Sequence, residues 1–196
     1  MAIASGDLQS DQVGSRLAPL RVIVTQAGAP VEGITVTWSA TGGTVAPAST
    51  VTANGGFASV NWDLPQMAGT FLARASATEA SNSPVTFTAT AMPGPPATLI
   101  KGEGDGQSGP VNTILPTELE VKVVDAFGNP LEGLAVNWFV TTGTATLTPD
   151  QDQTDASGQA TTEVQLGATP GVVTVTATPG VVVQGAPATF NLTATP

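Results

Sequence analysis

Residues 128–138 read GNPLEGLAVNW, and residues 28–38 read GAPVEGITVTW. Six of these eleven positions are identical at a fixed offset of 100, including Trp38 and Trp138. Further matches continue on both sides at offsets between 98 and 103. Such drift is typical of repeated domains, because turns absorb small insertions while strands keep their length. The chain therefore repeats one domain twice, which favours a protein that acts by repetition over one built around a single active site.

The composition excludes several kinds of chemistry. The repeat divides 196 residues into two domains of about 98 residues each, a common size for a compact domain. The chain has no Cys, which excludes disulfide frameworks and thiolate metal sites. It also has no His, which excludes imidazole ligands and every His-dependent catalytic triad. No cofactor is predicted.

The charge is acidic and unevenly distributed. Five basic residues against fifteen acidic ones give a net charge of −10. Residues 1–97 hold three Arg and five acidic residues, and the remainder holds two Lys and ten acidic residues, so the halves carry −2 and −8. Such a surface repels phosphate backbones, so we expect no binding to nucleic acid. No apolar run approaches the length of about 18 residues that a transmembrane helix needs, so no transmembrane segment is predicted in this stretch.

Apolar residues recur with a period of two nearly everywhere, as in Leu119, Val121 and Val123, which alternate with Glu120 and Lys122. This period is typical of half-buried antiparallel strands, and no helical period is sustained. In the second domain we expect buried side chains at Leu119, Val121, Val123, Trp138, Val164, Val175 and Phe190. We expect exposed side chains at Glu120, Lys122, Thr161 and Thr174.

Turn residues separate these short runs and set the domain organisation. Gly28-Ala29-Pro30 and Gly128-Asn129-Pro130 divide two long strands in each half. Seven or so short strands per domain predict an all-β fold of two β-sandwiches. We place the first domain at 1–92, a proline-rich linker at 93–97 and the second domain at 98–196.

One long pattern carries a family resemblance. Residues 119–138 fit L-x-V-x-V-x-D-A-x-G-N-P-x-x-G-x-x-V-x-W, and residues 154–160 add T-D-A-x-G-x-A. This pattern resembles the bacterial Ig-like domains of group 1, the invasin and intimin type. The first half carries a weaker version, with Gln26 where the second has Asp125. The resemblance implies two tandem immunoglobulin-like β-sandwiches. In that family such domains form extracellular stalks that project a binding module from the bacterial surface.

Asp150, Asp152 and Asp155 form a local acidic cluster and are weak candidates for calcium ligands. The spacing departs from the EF-hand pattern, because Thr154 occupies the fifth position and no Glu follows at the twelfth. An ordinary solvated loop with an Asx turn is the favoured interpretation.

No residues are predicted to be catalytic. Glu32 and Glu132 recur at the same place in the repeat, but one lies in each domain, so they cannot form one glycosidase-like dyad. Asp125 stands where a strand enters a turn, and we expect its carboxylate to cap backbone N–H groups there. No glycine-rich phosphate loop and no nucleophile elbow occurs.

Three outward positions are apolar in the first domain and polar in the second: Ile23, Phe57 and Leu72 against Lys122, Gln159 and Thr174. If the strands pair as in Ig-like sheets, Ile23 and Phe57 meet on one outer face. Sequence drift is one explanation of this difference, because isolated apolar surface residues are common. The alternative is a protein interface formed by the first domain.

The favoured function is a non-enzymatic structural segment, or stalk, of an adhesin-like protein at the bacterial cell surface or outside the cell. Two alternatives remain: a subunit of a self-assembling extracellular filament, and a receptor- or glycan-binding Ig-like module. The expected partners are proteins, either neighbouring repeats of a longer chain or copies of this chain.

Overall fold

The computed structural model describes residues 1–196, which form two compact units, Met1–Pro93 and Gly94–Pro196. Both units consist of β-strands joined by turns, and neither contains a helix. The fold accordingly offers no long apolar helix of the kind that crosses a bilayer. The predicted all-β class is confirmed.

The first domain contains eleven strands. In chain order they are β1 (Ala2–Ser5), β2 (Gln9–Gln12), β3 (Leu20–Ile23), β4 (Thr25–Gln26), β5 (Ala29–Pro30), β6 (Thr35–Ala40), β7 (Thr44–Ala46), β8 (Ser49–Val51), β9 (Phe57–Asp63), β10 (Gly69–Ser76) and β11 (Val85–Met92). One sheet has the order β1-β3-β9-β7 and the other has the order β2-β11-β10-β6-β8. Strands β4 and β5 form a separate small ribbon.

The second domain repeats this arrangement with nine strands. They are β12 (Thr98–Lys101), β13 (Ser108–Pro110), β14 (Leu119–Val124), β15 (Ala135–Thr142), β16 (Ala145–Thr148), β17 (Gln151–Gln153), β18 (Gln159–Leu166), β19 (Gly171–Pro179) and β20 (Ala188–Thr195). The sheet orders are β12-β14-β18-β16 and β13-β20-β19-β15-β17. Strand for strand, these orders match those of the first domain, so both domains are sandwiches of one topology.

Each sandwich has nine strands rather than the seven or so expected from the sequence. Part of the difference arises because the first strand of each domain splits into two pieces that join different sheets. In the first domain, β1 pairs antiparallel with β3, whereas β2 pairs parallel with β11. Two short edge strands, β7 and β8, account for the rest, and short edge strands limit unwanted pairing with other chains.

Two polar residues, Asp7 and Gln9, fix the segment where the chain crosses from one sheet to the other between β1 and β2. The Asp7 carboxylate accepts a hydrogen bond from the Thr88 backbone N–H at 2.8 Å. The Gln9 amide donates to the carbonyl oxygens of Gly6 and Ala18 at 2.7 and 2.9 Å. These bonds tie the crossing segment to both sheets, so this repeated pair belongs to the framework of the domain.

Equivalent hydrogen bonds recur in the second domain. The Asp105 carboxylate accepts from the Asn191 N–H at 2.8 Å. The Gln107 amide donates to the carbonyl oxygens of Gly104 and Thr117 at 2.8 and 2.7 Å. The Asp and Gln that recur at an offset of 98 are therefore explained by strand crossing.

The cores follow the predicted alternation. All seven side chains expected to be buried in the second domain are at most 2% exposed. The four side chains expected to be exposed, Glu120, Lys122, Thr161 and Thr174, are instead half-buried. Each of them lies on a strand that has a neighbour on either side, and the adjacent side chains cover part of its surface.

A tryptophan packs against a phenylalanine at the centre of each core. In the second domain, the rings of Trp138 on β15 and Phe190 on β20 have centroids 5.9 Å apart. The strand between them, β19, places Ala177 opposite Trp138, and this small side chain leaves room for the rings to meet. Trp38 and Phe87 repeat this contact in the first domain at 6.2 Å.

The two indole N–H groups differ in their partners. Trp38 Nε1 donates to Thr50 Oγ1 at 2.8 Å. Trp138 Nε1 is buried and makes no hydrogen bond. Asp152 replaces the threonine at the equivalent point of strand pairing, but its carboxylate accepts from the Thr161 N–H at 2.9 Å instead. The second domain thus retains the ring packing and lacks the indole hydrogen bond.

A buried carboxylate organises the turn after β14. Asp125 is 3% exposed. Its Oδ1 accepts from the backbone N–H groups of Phe127 and Asn129 at 2.8 and 2.9 Å. Its Oδ2 accepts from the Asn129 side-chain amide and the Gly94 N–H, both at 2.8 Å. The expected capping of backbone N–H groups is therefore confirmed, and the carboxylate also fastens Gly94 to the second domain.

These hydrogen bonds determine the ionisation of Asp125. Burial alone raises the pKa of Asp125, because it disfavours the charged form. The hydrogen bonds from the Asn129 side chain, Gly94, the Asn129 backbone and Phe127 favour the charged form more strongly, so the pKa lies below its ordinary value. Asp125 therefore stabilises the second domain above the pKa of an unfolded aspartate, about 3.9, and loses this effect as the pH falls through the folded value.

Replacing Trp138 with alanine removes the largest ring of the second core. We expect Trp138→Ala to lower the free energy of unfolding of that domain by about 3–5 kcal/mol, through lost burial and the cavity left behind. Urea denaturation followed by circular dichroism measures this change. A loss below about 1 kcal/mol, the size of an ordinary substitution, would show that Trp138 does not anchor the core.

Asp125→Asn keeps the size of the side chain but removes its charge and one acceptor oxygen. We expect the second domain to lose about 2 kcal/mol near neutral pH, because charge-assisted hydrogen bonds weaken and a buried N–H loses its partner. The deficit should shrink as the native carboxylate becomes protonated in acid. Gln26→Asn, at the exposed equivalent position of the first domain, is the matched control and should change stability by less than about 0.5 kcal/mol. Equal effects of the two substitutions would contradict this account of Asp125.

Candidate functional site

The outward apolar residues of the first domain lie on two neighbouring strands. Strands β3 and β9 pair antiparallel, and Ile23 lies directly opposite Phe57. Both side chains are half-buried, because they point away from the core and cover one another in part. We call this pair, together with the adjacent Arg21, the Ile23–Phe57 face.

Arg21 contributes a contact that sequence reasoning missed. Its guanidinium carbon lies 3.7 Å from the centre of the Phe57 ring. An exposed cation–π contact of this kind contributes about 0.5–1 kcal/mol. The sequence does contain a signal for this contact. Arg21 and Ile23 lie two residues apart, on the outward side of β3, so Arg21 is within diagonal reach of Phe57 on β9. The face therefore combines apolar surface with a positive charge.

Leu72 belongs to a different surface. It lies on β10, opposite Thr88, in the other sheet of the first domain. Its backbone N–H donates to the Thr41 hydroxyl at 2.9 Å. Among the three apolar residues, the structure brings Ile23 and Phe57 together and places Leu72 on the opposite side of the sandwich.

The equivalent face of the second domain is polar. Lys122 lies opposite Gln159, in the same register as Ile23 and Phe57. Glu120 lies opposite Thr161, at the positions of Arg21 and Ser59 in the first domain. The corresponding faces of the two domains therefore carry opposite charges at the Arg21 position.

Two carboxylates of the acidic cluster, those of Asp152 and Asp155, accept hydrogen bonds from groups around them. The Asp152 carboxylate accepts from the backbone N–H groups of Gln153 and Thr161 at 2.8 and 2.9 Å. Asp150 uses its carbonyl oxygen to accept from the Trp138 N–H at 2.8 Å. No group of three or more acidic side chains in the structure is arranged to hold a metal ion. The Asp152 carboxylate therefore acts on the backbone around it, and Asp150 does so through its main-chain carbonyl.

Asp155 shows the same use of a carboxylate. Its Oδ1 accepts from the Ser157 hydroxyl at 2.7 Å and from the Ser157 and Gln159 N–H groups at 2.9 Å each. The Ser157 hydroxyl bond is the largest cause that lowers the pKa of Asp155, and the backbone bonds from Gln159 and Ser157 add to it. This is the Asx-type turn expected of a solvated loop.

Glu32 contacts a turn rather than a second carboxylate. Its Oε1 accepts from the Gly55 backbone N–H at 2.9 Å. Glu132 lies in the other domain, so the two recurrent glutamates belong to separate turns. The arrangement offers hydrogen bonding to backbone and no acid–base pair.

A shallow depression of about 550 Å³ lies beside the Ile23–Phe57 face. Its lining includes Asp7, Gln9, Arg21 and Ser59. Asp7 and Gln9 hold the strand crossing described above, so their hydrogen-bonding groups are committed to the backbone. These two polar residues of the lining therefore belong to the framework of the domain.

Comparison with known proteins agrees with this architecture. Residues 111–191 match the family model of the bacterial Ig-like domain, group 1. The match contains the Asp125 turn and both aromatic rings of the second core. A comparison with curated protein sequences finds no significant match.

Solved structures with similar folds come from several bacterial proteins. Yersinia pseudotuberculosis InvD has a TM-score of 0.61 at 16% identity, with 99% of this chain and 56% of that chain covered. The Escherichia coli adhesin FdeC has a TM-score of 0.50 at 19% identity, with 97% and 62% covered. The D0-D1 domains of intimin have a TM-score of 0.41 at 18% identity, with 97% and 95% covered.

The chain spans little more than half the length of the InvD and FdeC structures that it matches. At these identities the structural likeness to InvD and FdeC establishes the fold alone. The sequence match and the fold agree on the same part of the chain. Residues 111–191 therefore match the group 1 bacterial Ig-like domain in sequence, and the first half of the chain repeats the strand order of the second.

Proposed function

We propose that this chain is a non-enzymatic spacer, or stalk segment, of an adhesin-like protein at the bacterial cell surface. In this role, the two sandwiches set the distance between the cell and a binding module carried elsewhere in the same protein. In this proposal the two domains catalyse no reaction, and their partners are neighbouring domains of the same protein.

One observation carries this proposal: the residues that the two halves share build the framework of each domain. Gln9 and Gln107 hold the strand crossing. Trp38 and Trp138 pack in the cores. Exposed faces differ between the halves instead, as at the Ile23–Phe57 face. Repetition of the framework without repetition of a surface is what a spacer requires, because its length matters more than its contacts.

The comparisons support this proposal by analogy. FdeC is described as an Escherichia coli adhesin, and its structure shares the fold of this chain. The match to the InvD structure covers 99% of this chain and therefore includes both domains. Because fold does not imply function, the spacer role needs a direct test.

The test combines surface labelling with a domain swap in the bacterium that carries the chain. Antibodies against the two domains should label intact, unpermeabilised cells. Replacing both domains with two unrelated Ig-like domains of equal length should preserve attachment of the bacteria to their target. Deleting residues 94–196 should reduce attachment, because the reach of the protein falls by one domain.

A different pattern would contradict the spacer role. If the equal-length replacement abolishes attachment while the protein still reaches the surface, these domains make the essential contact themselves. That outcome would support the receptor- or glycan-binding alternative. Labelling only after permeabilisation would contradict the surface location.

The Ile23–Phe57 face favours a second candidate function, self-association between copies of this chain. It carries apolar surface and Arg21, whereas the same face of the second domain carries Lys122 together with Glu118, Glu120 and Glu163, so its net charge is negative. The net charges of the two faces therefore have opposite signs, and contact between unlike faces of successive copies gives an open assembly where the rotation between copies does not close a ring. This is the geometry that a filament subunit needs.

Copying the second domain's residues onto the first tests this interface. Ile23→Lys with Phe57→Gln should abolish concentration-dependent association of the chain in sedimentation velocity, because the apolar patch is removed. Leu72→Thr, on the other side of the sandwich, is the matched control and should leave the association intact. If the double variant associates as the native chain does, the Ile23–Phe57 face is not the interface.

A further inference from the structure

The turn between β8 and β9 brings together an unusual set of backbone conformations. Asn54, Gly55 and Gly56 all have positive φ angles, of 49°, 89° and 78°. Two hydrogen bonds close the loop, from Ala53 N to Phe57 O at 2.9 Å and from Phe57 N to Ala53 O at 3.0 Å. The loop is thus three residues long and held at both ends.

The first two residues of this loop, Asn54 and Gly55, form the one Asn-Gly pair among the seven asparagines of the chain. Asn54 is exposed, so water reaches its side-chain amide. Glycine after asparagine leaves the following backbone nitrogen without steric shielding, because it has no Cβ. An exposed Asn-Gly pair is therefore the place in this chain where a backbone nitrogen can most readily attack a side-chain carbonyl.

That nitrogen has a specific partner. The Gly55 N–H donates to Glu32 Oε1 at 2.9 Å. A negative acceptor strengthens the hydrogen bond and makes the N–H harder to deprotonate. The bond also holds the Gly55 nitrogen toward Glu32, in a backbone conformation fixed by the closed loop. Both effects oppose attack on the Asn54 side chain.

We propose that Asn54 is a site of spontaneous covalent modification and that Glu32 controls its rate. The Gly55 nitrogen attacks Cγ of Asn54, a new C–N bond forms, and the side-chain amide leaves as ammonia. Water then opens the five-membered imide at either carbonyl. The products are aspartate and isoaspartate, and each adds one negative charge to the first domain.

The isoaspartate product disturbs the structure around the loop. It lengthens the backbone by one methylene within a loop of fixed ends. Gly56 is held against Val24, because its carbonyl oxygen accepts from the Val24 N–H at 2.8 Å and a Cβ there would lie 2.6 Å from the Val24 carbonyl oxygen, so the end of the loop has little room to absorb that length. The next residue, Phe57, begins β9 and carries the ring of the Ile23–Phe57 face. Modification at Asn54 therefore loosens the end of that face.

The second domain provides a natural control. Its equivalent loop reads Ala156-Ser157-Gly158, which lacks a side-chain amide. There the Ser157 N–H donates to Asp155 rather than to the recurrent glutamate, Glu132. The labile pair and its glutamate partner thus occur together in the first domain alone.

The experiment incubates the folded chain in warm, mildly alkaline buffer and follows Asn54 by peptide mass spectrometry, with Asn54→Asp as the product standard. Glu32→Ala should convert Asn54 at least about threefold faster than the native chain, because the charged hydrogen bond is lost. Glu32→Gln, which keeps a neutral acceptor, should fall between them. Glu132→Ala is the matched control and should convert at the native rate. The urea-unfolded chain gives the unrestrained rate.

Two results would overturn the inference. The site is wrong if Asn54 stays intact in every folded variant while the unfolded chain converts. Control by Glu32 is wrong if Glu32→Ala converts at the native rate. Hydrogen exchange at the Phe57 amide separates direct control from general loosening of the turn. If that exchange accelerates by the same factor as the conversion, the carboxylate does not act on the Gly55 nitrogen directly.

Discussion

Each domain depends on one contact, the tryptophan ring that reaches across the middle strand of its larger sheet to meet a phenylalanine. The Trp138 and Phe190 rings come within 5.9 Å because Ala177, on the strand between them, is small. The requirement therefore links three strands at once: two must carry large rings and the third a small side chain. The alternating apolar residues of the smaller sheet then close over this cluster, which produces the sandwich.

The two domains satisfy this requirement with different surroundings. In the first domain, Trp62 occupies the position of Val164, and its indole donates to the carbonyl oxygen of Gly42 at 3.0 Å. Gly42 must remain glycine, because a Cβ there would lie 2.3 Å from the ring of Phe71. Where the second domain has Val173, the larger Phe71 ring fills this space. The cores diverge through linked changes of volume, while the strand order stays the same.

The polar residues that recur between the halves follow the same logic. Buried or bridging carboxylates and amides are expensive unless they are hydrogen-bonded, and here each repeated one satisfies backbone groups that a strand crossing or a turn exposes. Asp7 and Asp105 accept from the neighbouring sheet, and Asp125, which has no carboxylate counterpart in the first domain, likewise holds its turn. Differences accumulate on the outward faces, where Arg21 and Glu120 occupy equivalent positions. A repeated scaffold with variable faces is consistent with a role set by length and by differences between surfaces.

The sequence by itself determined the all-β class, the repeat, the inward residues and the Asp125 cap, because period-two alternation and turn chemistry are local properties. It also placed Ile23 opposite Phe57, once antiparallel pairing was assumed. Only the tertiary structure decided that the first strand divides between two sheets, that Arg21 covers Phe57, that Asp152 leaves the Trp138 indole without a partner, and that Glu32 holds the Gly55 nitrogen. Each of these depends on which atoms meet from strands or turns distant in the chain, and local patterns do not specify that geometry.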